Sequence, residues 1–68
     1  MIIAERVNAY LTKRRPQAIC DACVAGNLGL RHQQANRVTM ALGTTSDFDR
    51  RNAVCADCGK EQKVTRRS

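Results

Sequence analysis

Apolar residues near the start of the chain recur with a helical period. Ile3, Val7, Tyr10 and Leu11 fall on one side, while Arg6, Asn8, Thr12 and Lys13 take the others. This predicts an amphipathic helix over residues 2–14. Pro16 stops it, since proline has no N–H to donate and drives the preceding Arg15 out of helical geometry. A second, shorter helix is expected over 20–29, burying Ile19, Cys23, Val24 and Leu28. Gly26 inside it marks either a close backbone approach or a weak helix. Gly29 ends that helix and Leu30 anchors the turn. A third helix runs from Arg31 or His32 to Leu42, with Gly43 as its stop. Ala35, Val38 and Leu42 lie on one of its faces; Gln33, Asn36, Arg37 and Met40 lie on the opposite one.

Beyond Gly43 the pattern changes. Gly43 to Asp47 is a loop by composition. Phe48 to Cys55 and Lys60 to Arg66 read as two short strands, with Val54 and Val64 as their apolar contacts. The turn from Cys55 to Cys58 joins them, and residues 66–68 are expected to fray. The fold class is therefore α+β, three helices followed by a short β-hairpin, in a single domain over residues 1–68. No apolar stretch approaches the length of a membrane span.

Composition exposes a weakness in this plan. The chain has 68 residues with one Phe, one Tyr and no Trp, so its core must be thin. All four cysteines stand in two pairs, Cys20-Asp21-Ala22-Cys23 and Cys55-Ala56-Asp57-Cys58. Two thiolates at this spacing reach one ion from a single turn, and two such pairs make the tetrahedral set that zinc prefers. Gly59 lets the chain turn sharply after Cys58, so that backbone N–H groups can face the sulfurs. Four cysteines leave no open position, so the zinc would be structural, supplying folding free energy that the core lacks. An iron–sulfur cluster takes the same four thiolates, and spacing does not separate the two. A disulfide framework suits a secreted chain, but Glu5 and Arg6 interrupt the apolar run a signal peptide needs, which favours a cytoplasmic setting. A redox CxxC needs only one pair and a βαβ context.

The formal net charge is +6, concentrated at the two ends. Arg6, Lys13, Arg14 and Arg15 stand near the start; Arg50, Arg51, Lys60, Lys63, Arg66 and Arg67 stand near the finish. Basic ends on a small domain suit nucleic acid. The plainer account is a solvated surface, with Lys13, Arg14 and Arg15 complementing a helix C-terminus.

The order helix, helix, turn, helix, hairpin resembles a winged helix-turn-helix domain. Ala25, Leu28, Gly29, Leu30, Ala35 and Val38 carry the resemblance, matching the small residue four before the turn glycine and the apolar positions around it. Cys55-Ala56-Asp57-Cys58-Gly59-Lys60 separately resembles a zinc-ribbon knuckle. Arg31-His32 stands where such domains place a Ser, Thr or Asp cap. The resemblance implies that the third helix enters the major groove of DNA with Gln33, Asn36, Arg37 and Met40. It implies that Arg50, Arg51, Lys60 and Lys63 on the hairpin reach phosphates or the minor groove; the plainer role of those four is edge protection. His32 reads as a surface residue and Tyr10 as core.

The expected function is a zinc-binding, DNA-binding domain, a small transcriptional regulator. The rivals are a protein-interaction module with a structural zinc and a thiol redox sensor. An enzyme is not expected: there is no cysteine left over, no paired carboxylate in a pocket and no glycine-rich phosphate loop. A homodimer is expected, either through paired recognition helices or by exchange of the hairpin so that Cys55 and Cys58 join a neighbour's Cys20 and Cys23. The alternative is a monomer closed in cis.

Overall fold

A computed structural model describes residues 2–68. The chain forms helix α1 (Ile3–Arg14), strand β1 (Ile19–Cys20), helices α2 (Asp21–Leu28) and α3 (His32–Leu42), and strands β2 (Phe48–Val54) and β3 (Glu61–Arg67). Three helices thus combine with a three-stranded antiparallel sheet in the order β1-β3-β2. The hairpin was expected and the third strand was not. β1 is two residues long, too short to show alternation, yet it pairs Ile19 with Thr65 and Cys20 with Val64.

α1 buries Val7 and Leu11, one turn apart, with Ile3 and Tyr10 packed beside them. Glu5 in its first turn and Lys13 and Arg14 in its last complement the helix dipole. Arg6 donates to the Leu28 carbonyl at 2.7 Å, so a cation of α1 satisfies an end carbonyl of α2. α2 closes on Gly29, whose φ of 67° lies in the left-handed region, and Leu30 N–H donates to the Ala25 carbonyl at 2.8 Å. This is the glycine-terminated turn the sequence calls for. Gly26 meets nothing within 4 Å of where a Cβ would stand, so no backbone approaches it. α3 starts at His32 without a hydroxyl or carboxylate cap; the Gln34 side chain instead accepts from Arg31 N–H at 3.0 Å.

The core is built from Val7, Leu11, Ile19, Val24, Ala25, Ala35, Phe48 and Val64, with Cys20 and Cys55. Two expectations for the hairpin need correcting. Val64 is buried, but Val54 is 59% exposed. Asn52, Glu61, Gln62 and Lys63 are exposed with it, so this end of the hairpin stands clear of the helices. β3 also runs on to Arg67, one residue past the expected strand. Arg66 and Arg67 pair with Asp49 and Phe48 in the sheet, and Ser68 N–H donates to the Asp47 carbonyl at 2.8 Å. The Arg67 guanidinium also lies 5.3 Å from the centre of the Phe48 ring.

A buried polar cluster crosses the core. Arg50, placed by the reading above among the DNA contacts, points inward instead. Its two terminal nitrogens donate to the two carboxylate oxygens of Asp21 at 2.9 and 3.0 Å. It also donates to the hydroxyls of Thr39 and Thr65, each at 3.0 Å. Thr39 Oγ1 donates to Asp21 at 2.6 Å. The physical reason is strand periodicity: Arg50 shares a strand face with buried Phe48 and is the register partner of buried Thr65.

Gly43 is required by this cluster. Its φ of −65° suits any residue, but an added Cβ would lie 2.8 Å from Arg50 Cβ and 3.0 Å from Arg50 Cδ. Gly43→Ala should therefore destabilise the fold by about 1–3 kcal/mol despite the better helix propensity of alanine. A urea midpoint at or above that of the native chain would contradict the close approach.

Candidate metal centre

The two cysteine pairs reach one point from opposite directions. Cys20 ends β1 and is the N-cap of α2, and Cys23 lies in the first turn of that helix. Cys55 and Cys58 occupy the turn between β2 and β3. The four sulfurs lie within 4.8 Å of one another. Cys20 and Cys58 sulfurs are 3.8 Å apart, and so are those of Cys23 and Cys55. A tetrahedron of metal–sulfur bonds of about 2.3 Å has edges of about 3.8 Å, so the set fits one metal ion. A single chain supplies all four ligands, and exchange of the hairpin is not needed to complete it. Cys20 and Cys55 are buried, Cys23 is half-buried and Cys58 is exposed.

Backbone N–H groups face these sulfurs. Cys23 N–H donates to Cys20 Sγ at 3.4 Å, as an N-cap acceptor should receive it. Cys55 Sγ accepts from Cys20 N–H at 3.3 Å and Asp57 N–H at 3.4 Å. Gly59 has a φ of 73°, and its N–H donates to the Cys55 carbonyl at 3.0 Å, which closes the turn. The thiols differ accordingly. Burial works to raise Cys55, but the N–H groups of Cys58, Cys20 and Asp57 outweigh it and bring the group down to about 6. Burial pushes Cys20 and Cys23 up, and for Cys23 the neighbouring thiols add to it. A bound dication reverses that preference, because it favours the thiolate at every ligand.

Each pair also carries an aspartate that ties it to the rest of the fold. Asp21, between Cys20 and Cys23, is held by Arg50 of β2, by Thr39 and by Asn36, whose amide donates at 2.7 Å. Burial alone would raise the Asp21 carboxyl, but these donors hold it below the ordinary value. Asp57, between Cys55 and Cys58, is held by Arg14 of α1 at 2.6 Å and by Asn27 of α2 at 3.0 Å. Tyr10 joins the group by accepting from Arg14 at 2.8 Å and from Asn27 at 2.6 Å. The first pair is thus clamped by the hairpin, and the second by the helices.

The residues expected on a nucleic-acid surface separate into four groups. Gln33, Arg37 and Met40 are exposed on α3, and with His32 and Asn36 they line a shallow concavity of about 560 Å³. Arg51, Lys60 and Lys63 are exposed. Arg51 pairs with Asp49, while Lys60 and Lys63 have no ion pair among the described residues. Arg50 belongs to the core, as described above. Asn36 is half-buried, with its amide nitrogen committed to Asp21.

No protein-family model, no curated protein and no solved structure matches this chain. No helix among the described residues is long and apolar enough to cross a membrane.

The Asp57 contacts predict how firmly the second pair is held when the site is loaded with metal. Arg14→Ala frees Asp57 and loosens the Cys55–Cys58 turn. In zinc-loaded protein, thiol labelling of Cys55 and Cys58 should then be faster than in the native chain, with Cys20 little changed. Equal labelling rates in both proteins would show that Arg14 does not hold the turn.

Proposed function

We propose that this chain is a zinc-stapled, winged-helix-like domain that binds duplex DNA, and that it serves as a small transcriptional regulator. The observation that carries the reading is the outer face of α3. Gln33, Arg37 and Met40 stand exposed there, their side chains without hydrogen-bond partners among the described residues, and Met40 keeps 55% of its surface in solvent. No Asp or Glu occurs from Leu30 to Thr45, so the face suits a polyanion. Arginine pairs bidentately with guanine, glutamine with adenine, and an apolar tip meets the thymine methyl.

Support comes also from the way α2 carries α3. Ala25 is buried four residues before the turn glycine, and Leu28 and Leu30 flank that glycine against the core. The exposed hairpin residues Arg51, Lys60 and Lys63 would meet phosphates, which carry affinity and not sequence preference. Zinc is favoured for the metal centre by its all-sulfur, tetrahedral donor set and by the backbone N–H groups that face it. Its role would be structural: four protein ligands close the site and join α2 to the hairpin.

Metal analysis should find one zinc per chain, and Cys20→Ser or Cys58→Ser should unfold the domain. A well-dispersed spectrum from demetallated, reduced protein would contradict that requirement. Titration with duplex DNA should show affinity falling steeply with salt, from counterion release. Arg37→Ala should change sequence preference, whereas Arg51→Ala should weaken all sites alike. Affinity independent of salt would remove nucleic acid as the partner.

A further inference from the structure

Asn36 is the one residue of the α3 face that the protein itself orients. Its amide nitrogen donates to Asp21 Oδ2 at 2.7 Å. The assignment of that amide follows from chemistry, since a carboxylate only accepts and a carbonyl turned towards it would be repelled. Asp21 cannot turn away to suit another rotamer. It is fixed by both terminal nitrogens of Arg50 and by the Thr39 hydroxyl, all inside the core. The other end of the amide is Oδ1. Every buried side-chain nitrogen and oxygen among the described residues has a hydrogen-bond partner. Asn36 Oδ1 has none among them, so it is an atom that solvent reaches. Asn36 lines the concavity shared with Gln33, Arg37 and Met40.

We infer that Asn36 offers DNA a fixed hydrogen-bond acceptor, and that it selects a base bearing an exocyclic amine in the major groove. The inference rests on the DNA-binding reading above. A free asparagine can flip its amide and meet either a donor or an acceptor. This one cannot flip without turning its carbonyl on Asp21. Cytosine N4 and adenine N6 are donors that Oδ1 can accept from; guanine O6 and thymine O4 are acceptors that it repels. Adenine fits well, because the second amide hydrogen of Asn36 stays free for its N7. Asp21 is then a positioning residue: it touches no base, but it decides which edge of Asn36 does.

The experiment is a selection from random duplexes with native protein and with Asn36→Ala, followed by titrations at fixed salt. One position of the enriched site should prefer adenine or cytosine with native protein and lose that preference with Asn36→Ala. At that position, replacing adenine by purine, or cytosine by pyrimidin-2-one, each lacking the exocyclic amine, should weaken native binding about tenfold. The same replacement should change Asn36→Ala binding less than about twofold. The native titration needs no variant, so it decides the matter even where Asn36→Ala folds poorly. An enriched site with full affinity for the amine-free base overturns this inference and leaves the DNA-binding reading standing. An absence of any enriched site overturns this inference and direct readout with it, and affinity independent of salt overturns the DNA-binding reading as well.

Discussion

A bidentate ion pair shut away from water, Asp21 to Arg50, decides where the rest of this molecule stands. Its side chains retain 7% and 11% of their surface. Burying two charges is costly, and a pair in that position adds stability only where every remaining donor and acceptor is met. Here they are met: Thr39, Thr65 and Asn36 complete the shell, and no buried side-chain polar atom among the described residues lacks a partner. The cluster joins α2, α3, β2 and β3 at one point. A displaced register of β2 would carry Arg50 to the opposite face and leave Asp21 alone in the core. The pair therefore selects one arrangement of the sheet against the helices, which an apolar core of this size specifies weakly.

The metal centre inherits that arrangement. Asp21 lies between Cys20 and Cys23, so the hairpin that carries Cys55 and Cys58 also grips the first cysteine pair through Arg50. Asp57 returns the grip through Arg14 and Asn27. Four sulfurs come within 4.8 Å, with Asp21–Arg50 joining α2 to the hairpin and Asp57–Arg14 tying the cysteine turn to α1. A metal ion held by these sulfurs would act on the same contact as the ion pairs, and a chain with a thin core would gain a defined hairpin position from both. The same cluster reaches the outer surface through Asn36, so the core chemistry and the proposed recognition face share one residue.

Helical periodicity made all three helices legible in the sequence, and the double CxxC made legible a four-sulfur cluster that could hold a metal ion. Local punctuation served equally well: Pro16 and Gly29 end their helices as their chemistry requires. What stayed hidden was long-range and polar. β1 has two residues, and nothing in Ile19-Cys20 announces a strand until β3 stands beside it. Arg50 reads as a surface cation, because arginine usually is one. A signal was nonetheless present: Arg50 follows Phe48 by two residues, so on a strand it must share the buried face and need a partner. Asn36 does share the face with Gln33, Arg37 and Met40; what stayed hidden was its tie to Asp21, fifteen residues away.

The central claim is that Asp21 and Arg50 act as one unit, and a double-mutant cycle tests it most directly. Urea unfolding of the native chain, Asp21→Ala, Arg50→Ala and the double variant gives the coupling energy. Either single substitution should cost about 3 kcal/mol, since it strands the other charge, and the double variant should be no less stable than either alone. Losses that simply add in the double variant would contradict the account.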